Sequence, residues 1–176
     1  MPKVFISYRR DDSAYVAQWI CEKLSGHFGS NSVVFDVETI PLGVDFVVYL
    51  KDQVAQCDAL LAVIGDNWLT ARNANGKRRL DDPEDFVRIE IQAALRRGIP
   101  VVPVLVGKAT MPRKTDLPCW LKELTRRNAA EVSSGRDVGA HLEMLAKGLD
   151  RVFALAAAAP APASRPRWPR PAGPTS

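Results

Sequence analysis

Six consecutive apolar residues, Ala59-Leu-Leu-Ala-Val-Ile64, leave no polar face to turn toward water. A strand of this kind must be covered on both sides, as in parallel sheets packed between layers of helix. The flanking segments alternate in the way such a sheet requires. Lys3–Tyr8 reads as a first strand, and Asp12–Leu24 sets Val16, Ile20 and Leu24 on one helical face. Val33–Asp36 is a second strand, and Phe46–Gln56 a second helix in which Val47, Leu50 and Val54 recur at spacings of three and four. Pro83–Arg97 reads as a third helix and Pro100–Val106 as a fourth strand. A short helix over Leu117–Leu124, a weak strand over Ala129–Val132 and a terminal helix over Val138–Leu155 complete the pattern. Five strands alternating with five helices predict an α/β, flavodoxin-like fold: a five-stranded parallel sheet in the order 2-1-3-4-5 with helices on both faces.

The organisation expected is one domain over residues 1–155 and a tail over 156–176. That tail is almost wholly Ala, Pro, Arg, Gly and Ser, and proline at such density propagates neither helix nor sheet, so disorder is expected there. Arg165, Arg167 and Arg170 supply three of the four net positive charges and the tail has no acid, so the domain is within one charge of neutrality. No nucleic-acid footprint is expected from that balance. No apolar run approaches the ~18 residues that cross a bilayer. Met1-Pro-Lys-Val-Phe-Ile6 enters a strand without the regions of a signal peptide, so the expected location is cytoplasmic, with no membrane partner. Cys21, Cys57 and Cys119 are odd in number and form no CxxC pair, and His27 and His141 lack ligand spacing. Neither a disulfide framework nor a metal site is expected.

The pattern GxGxxG, the P-loop and the GxSxG elbow are all missing, which removes three common nucleotide and hydrolase chemistries. A phosphoacceptor receiver shares the architecture and would use Asp11, Asp12 and Asp66, but no lysine follows the fifth strand to hold the phosphate. Val4-Phe-Ile-Ser-Tyr-Arg-Arg-Asp-Asp12 breaks from a buried strand into a charged rim, where open α/β sheets place their ligands. In the third helix Asp82 is suited to cap, Pro83 to the first position, and Glu84 and Asp85 to the positive end of the dipole. Val87, Ile91, Ala94 and Leu95 form its buried stripe. Glu90 falls about 85° from the centre of that stripe, on the side of Phe86. It either pairs with Arg88 or Arg97 on a solvated face or looks into a site. Between strand two and helix two, Asp36 and Glu38 open a loop whose apolar tip Ile40-Pro41-Leu42-Gly43 suits a contact surface. The long Gly65–Asp82 connection, with Trp68 and Lys77-Arg78-Arg79, reads as a lid or as a surface loop.

Taken together, Val4–Asp12, Val34–Gly43, Cys57–Ile64, Phe86–Leu95 and Ile99–Val104 resemble the Toll/interleukin-1 receptor (TIR) domain in its bacterial form, in family order from Pro2 to about Phe153. The resemblance implies a flavodoxin-like fold and one of two functions. Many such proteins are NAD+ nucleosidases (glycohydrolases or ADP-ribosyl cyclases) that cleave the nicotinamide–ribose bond in immune signalling and antiviral defence. Others are non-catalytic modules that assemble through TIR–TIR contacts. The enzymatic members carry a helix-three glutamate one turn after an aromatic, usually tryptophan; this implies Glu90 as the catalytic residue, with Phe86 at the aromatic position. Tyr8 and Arg9 match the strand-one rim of the family's NAD pocket, and Asp36 and Glu38 the start of the loop that opens it. By residue type, Arg9 or Arg10 suits the pyrophosphate, and Tyr8, Phe86 or Trp68 suits a ring. NAD would be the substrate with no cofactor or metal required, the interaction loop Ile40, Pro41, Leu42 and Gly43 would serve self-association, and the product could act on a separate effector protein.

Overall fold

The computed structural model describes residues 1–35 and 40–159. Its elements are β1 (Val4–Ser7), α1 (Arg10–Phe28), β2 (Val33–Val34), α2 (Phe46–Ala55), β3 (Ala59–Ile64), α3 (Phe86–Arg97), β4 (Val101–Val106), β5 (Ala130–Val132) and α4 (Val138–Ala158). The strands form one sheet in the order β2-β1-β3-β4-β5, every pairing parallel. This is the flavodoxin-like topology that the alternation predicts.

The two-residue period of the strands sorts the core into two layers. Val4, Ile6, Ala59, Leu61 and Val63 face α1 and α4, where they meet Val16, Ala17, Ile20, Leu24, Leu145 and Leu149. Phe5, Leu60, Ala62 and Ile64 point the other way, toward Val54 of α2 and Val87, Ile91 and Ala94 of α3. All six residues of β3 are buried, as a strand without a polar face demands. Ser7 continues the Phe5 row, so β1 aims its one hydroxyl at the α3 layer. The chain leaves β1 for β2 on one side and returns to β3 on the other, so the order reverses beside β1. In open α/β sheets the ligand crevice forms outside the strand ends at that reversal.

Three local expectations change. The Leu117–Leu124 helix is a 3-10 turn over Cys119–Arg126, and its three-residue pitch is what brings both Leu121 and Leu124 inward. The first turn of α3 starts at Phe86 rather than Pro83, with Asp85 as its cap; Asp82 instead closes a turn, accepting from the Glu84 N–H and the Asn73 amide. The last helix continues through Ala158, three residues beyond the expected domain boundary; the remainder of the tail lies outside the described residues.

Leu61 is fully buried against α1 and α4. Leu61→Ala is expected to lower the unfolding free energy by about 2–5 kcal/mol, measurable by urea denaturation followed by circular dichroism.

Candidate active site

The α3 N-terminus is fixed to β1 by a buried ion pair. Arg9 follows β1 and is 2% exposed, although it is a full-length cationic side chain. Its guanidinium grips Asp85 bidentately, Nη1 to Oδ1 at 2.8 Å and Nη2 to Oδ2 at 3.1 Å, and its Nε donates to the Trp68 carbonyl at 3.3 Å. Asp85 also accepts from Arg79 Nε at 3.1 Å and, as N-cap, from the Arg88 backbone N–H at 3.1 Å. The carboxylate is therefore surrounded by donors, which is the condition for burying a charge at tolerable cost.

That clamp sets the position of Glu90, five residues further along α3. Glu90 is only 8% exposed, and Ser7 Oγ donates to its Oε2 at 2.6 Å across 83 residues of sequence. Burial pushes its carboxyl up to about 8 from the usual 4.5, and Asp85 adds to the rise; the Ser7 hydrogen bond and the Arg9 charge oppose it. Burial thus favours the protonated form of Glu90 near neutral pH.

The carboxyl stands at one side of a cleft of about 560 Å³ whose walls include Ile6, Tyr8, Arg10, Ile40, Arg79, Phe86 and Val87. This is within the ~300–1,000 Å³ of ordinary small-molecule sites. Phe86, 47% exposed, lies at the mouth with its ring 5.1 Å from that of Phe46 on α2. Tyr8, which also lines the cleft, stacks on Phe35 with ring centroids 5.1 Å apart. Two aromatic surfaces, a buried carboxyl and the arginines Arg10 and Arg79 converge on one space. Among the described residues no group of three or more His, Cys, Asp or Glu side chains is placed to hold a metal ion.

The structure brings Tyr8, Arg9, Ile40, Phe86 and Glu90 to this cleft, and it corrects two roles. Trp68 has no exposed surface and packs in the α2–α3 core layer, so its ring cannot receive a substrate. The Gly65–Asp82 connection is accordingly neither lid nor loose loop, since Trp68 and Leu80 both anchor it inside. Arg9 touches the cleft but spends its donors on Asp85 and Trp68, which removes it as the pyrophosphate ligand. Glu90 does not pair with Arg88, whose guanidinium lies over the Trp120 ring, 5.4 Å from its centroid. Pro41, Leu42 and Gly43 are exposed beside the cleft, Leu42 completely. Asp36 and Glu38 lie outside the described residues. Sequence reasoning missed Ser7, Asp85 and Arg79. Ser7 had a signal, because an isolated hydroxyl in an apolar strand needs a partner.

A family model for the TIR domain matches residues 4–145. The chain belongs to the TIR domain family. Among solved structures, the TIR domains of the activated Roq1 resistosome, recorded directly recognising the pathogen effector XopQ, superpose with a TM-score of 0.59 at 10% identity. That match covers 85% of this chain and 99% of the other, and at this identity it speaks for the fold alone. No curated protein matches the chain. Among the described residues, no helix of this TIR domain is long and apolar enough to cross a membrane.

Two measurements check the site. Asp85→Ala removes the α3 cap and strands Arg9 in the interior, so an unfolding free energy lower by about 3–5 kcal/mol is expected; a loss near 1 kcal/mol would reduce Asp85 to a cap alone. Glu90→Gln keeps the shape and removes the titration. The folded protein holds a proton on Glu90 that the unfolded chain releases between about pH 4.5 and 8, so wild-type stability falls as pH rises through that window. Relative to wild type, Glu90→Gln should gain stability with pH by up to ~1.4 kcal/mol per unit until about pH 8.

Proposed function

We propose that this TIR domain is an NAD+ nucleosidase, breaking the nicotinamide–ribose bond with Glu90 as its catalytic residue. The observation that carries the reading is a carboxyl held by Ser7 at 2.6 Å, buried beside an open cleft that Phe86 walls. Loss of nicotinamide leaves oxocarbenium character at the ribose C1′, and an adjacent carboxylate stabilises that charge as it does in glycoside hydrolysis. Neutral nicotinamide departs with the bond's electron pair, so no metal or cofactor is required, NAD being substrate. A water that attacks C1′ gives ADP-ribose and releases a proton. A ring nitrogen of the same nucleotide gives a cyclic isomer instead.

The raised pKa of Glu90 has a use in this scheme. A carboxyl uncharged in the empty cleft avoids the full cost of a buried anion. The positively charged nicotinamide ring then favours ionisation where the charge is needed. Phe86 or Tyr8 stacks on a ring of the substrate, and Arg10 and Arg79 take the pyrophosphate in place of Arg9. Asp36 and Glu38 stand at the start of the loop that would open the cleft.

The exposed Leu42 and the Ile40–Gly43 tip favour a second, compatible reading: self-association through TIR–TIR contacts in signal transduction, as a scaffold or as a requirement for catalysis. The similar Roq1 TIR domains were solved as part of an activated resistosome. Placed in the cytoplasm, such a protein would act in antiviral defence through a separate effector that its product activates.

Nicotinamide release from NAD by the purified chain tests the catalytic reading, read at rising protein concentration so that assembly is sampled. Glu90→Ala is expected to lower the rate by at least ~100-fold, and kcat/KM should rise with pH toward about 8 as Glu90 ionises. Full activity in Glu90→Ala would overturn the assignment. If Gly43→Ala, strained at φ +81°, abolishes signalling while Glu90→Ala leaves it intact, the scaffold reading stands alone.

A further inference from the structure

The Gly65–Asp82 connection, anchored inside by Trp68 and Leu80, encloses a second cleft against the start of α3. This space is about 390 Å³, and its walls include Arg72, Asn73, Asp82 and Glu84. Arg79 and Phe86 line it too, and both also line the Glu90 cleft, so the two spaces adjoin across that pair.

The wall is preformed. Asn73 Oδ1 accepts from the N–H groups of Asn75 and Lys77, both at 3.0 Å, and its Nδ2 donates to Asp82 Oδ2 at 2.9 Å. Asp82 Oδ1 accepts in turn from the Glu84 N–H at 3.1 Å, which ties the connection to the turn leading into α3. Arg72 Nη1 donates to the Gly76 carbonyl at 2.7 Å, and that bond orients its guanidinium plane. A wall ordered before binding spares a ligand the entropy of ordering it.

Resting on the NAD+ nucleosidase reading, we propose that this second cleft takes the adenosine half of the dinucleotide, with Arg72 and Glu84 recognising it. NAD is two nucleosides joined by a pyrophosphate, and the protein offers two clefts joined at an arginine. Arg79 gives its Nε to Asp85, and its Nη1 stands 3.9 Å from Asp11, beyond hydrogen-bond reach. Among the described residues its terminal nitrogens therefore keep their donors for phosphate oxygens. With nicotinamide and its ribose beside Glu90, the dinucleotide passes Arg79 and its second nucleoside enters the adjoining space. The groups there suit a nucleoside. Arg72 presents a flat cation on which a purine stacks. Glu84 is exposed, and among the described residues its carboxylate makes no hydrogen bond or ion pair. A carboxylate so placed accepts from ribose hydroxyls, as acidic residues do in other dinucleotide sites.

Nicotinamide release from NAD and from nicotinamide mononucleotide, which lacks the adenosine half, tests this in the full chain. Wild type is expected to show a kcat/KM at least ~10-fold higher for NAD than for the mononucleotide. Glu84→Ala and Arg72→Met should each raise KM for NAD by about 10-fold, change kcat by less than about twofold, and leave the mononucleotide kinetics unaltered. Glu84 has no side-chain partner to lose, and circular dichroism checks that Arg72→Met folds. Equal kcat/KM for the two substrates in wild type, or variants that leave KM for NAD unchanged or affect both substrates alike, would overturn the adenosine site while leaving the nucleosidase reading in place. A chain that releases no nicotinamide from either substrate overturns that reading instead. The second cleft is then judged with AMP titrated into the 15N-labelled chain. AMP is expected to shift the backbone amides of Asn73 and Asn75, and less so in Glu84→Ala. Shifts confined to the Glu90 cleft, or none at millimolar AMP, overturn the proposal.

Discussion

The Arg9–Asp85 pair is the contact on which the site geometry depends. It ties the residue after β1 to the residue that caps α3, and both members are buried. Asp85 meets three demands with one carboxylate: it terminates the helix, neutralises Arg9 and receives Arg79. With the helix start fixed against the strand end, the rise and twist of α3 leave little freedom in where Glu90 falls. It lands on the Phe5–Ser7 side of β1, where the strand supplies its one hydroxyl. A buried ion pair is weak evidence for stability; what this one does is hold the end of β1 against the start of α3, beside the cleft.

The same clamp explains the electrostatic character of Glu90. Two carboxylates lie on adjacent turns of α3, and only one receives a guanidinium. Asp85 is surrounded by charged and neutral donors, whereas Glu90 has a single hydroxyl and an apolar setting that raises its pKa to about 8. Arg9 directs its hydrogen bonds to Asp85, so its charge only partly offsets the effect of burial on Glu90.

Much of the architecture was legible in the sequence, since it follows from patterns that local chemistry enforces. The unbroken apolar run of β3 demanded cover on both faces, and the three-and-four spacings located each helix to within a turn. What stayed hidden depends on partners far away in the chain. Asp82 and Asp85 are both good caps locally, and only the approach of Arg9 from 76 residues away selects Asp85. Arg9 at a polar rim reads as a ligand for phosphate until its donors are found on Asp85 and the Trp68 carbonyl. Trp68 in a long basic connection reads as exposed, yet burying its ring recovers more apolar area than any other residue of that loop offers. Glu90 was legible as ambiguous, on the shoulder of its stripe. Ser7 resolves the ambiguity, and Ser7 lies on another element.

Phenylalanine at position 86, where the family pattern has tryptophan, is accommodated by a neighbour rather than by a polar contact. An indole would offer an N–H at the cleft mouth; Phe86 offers none, and it rests instead at 5.1 Å from Phe46, tilted by 46°. Phe86 on the cleft wall is therefore backed by Phe46, two side chains whose backbones are set by separate caps, Asp45 for α2 and Asp85 for α3. Asp45, directly after the Ile40–Val44 segment, fixes the start of α2 by accepting from the Val47 and Val48 N–H groups, and with it the place where Phe46 meets Phe86. The Ile40–Val44 segment and the cleft thereby adjoin, with the Phe46–Phe86 contact beside them.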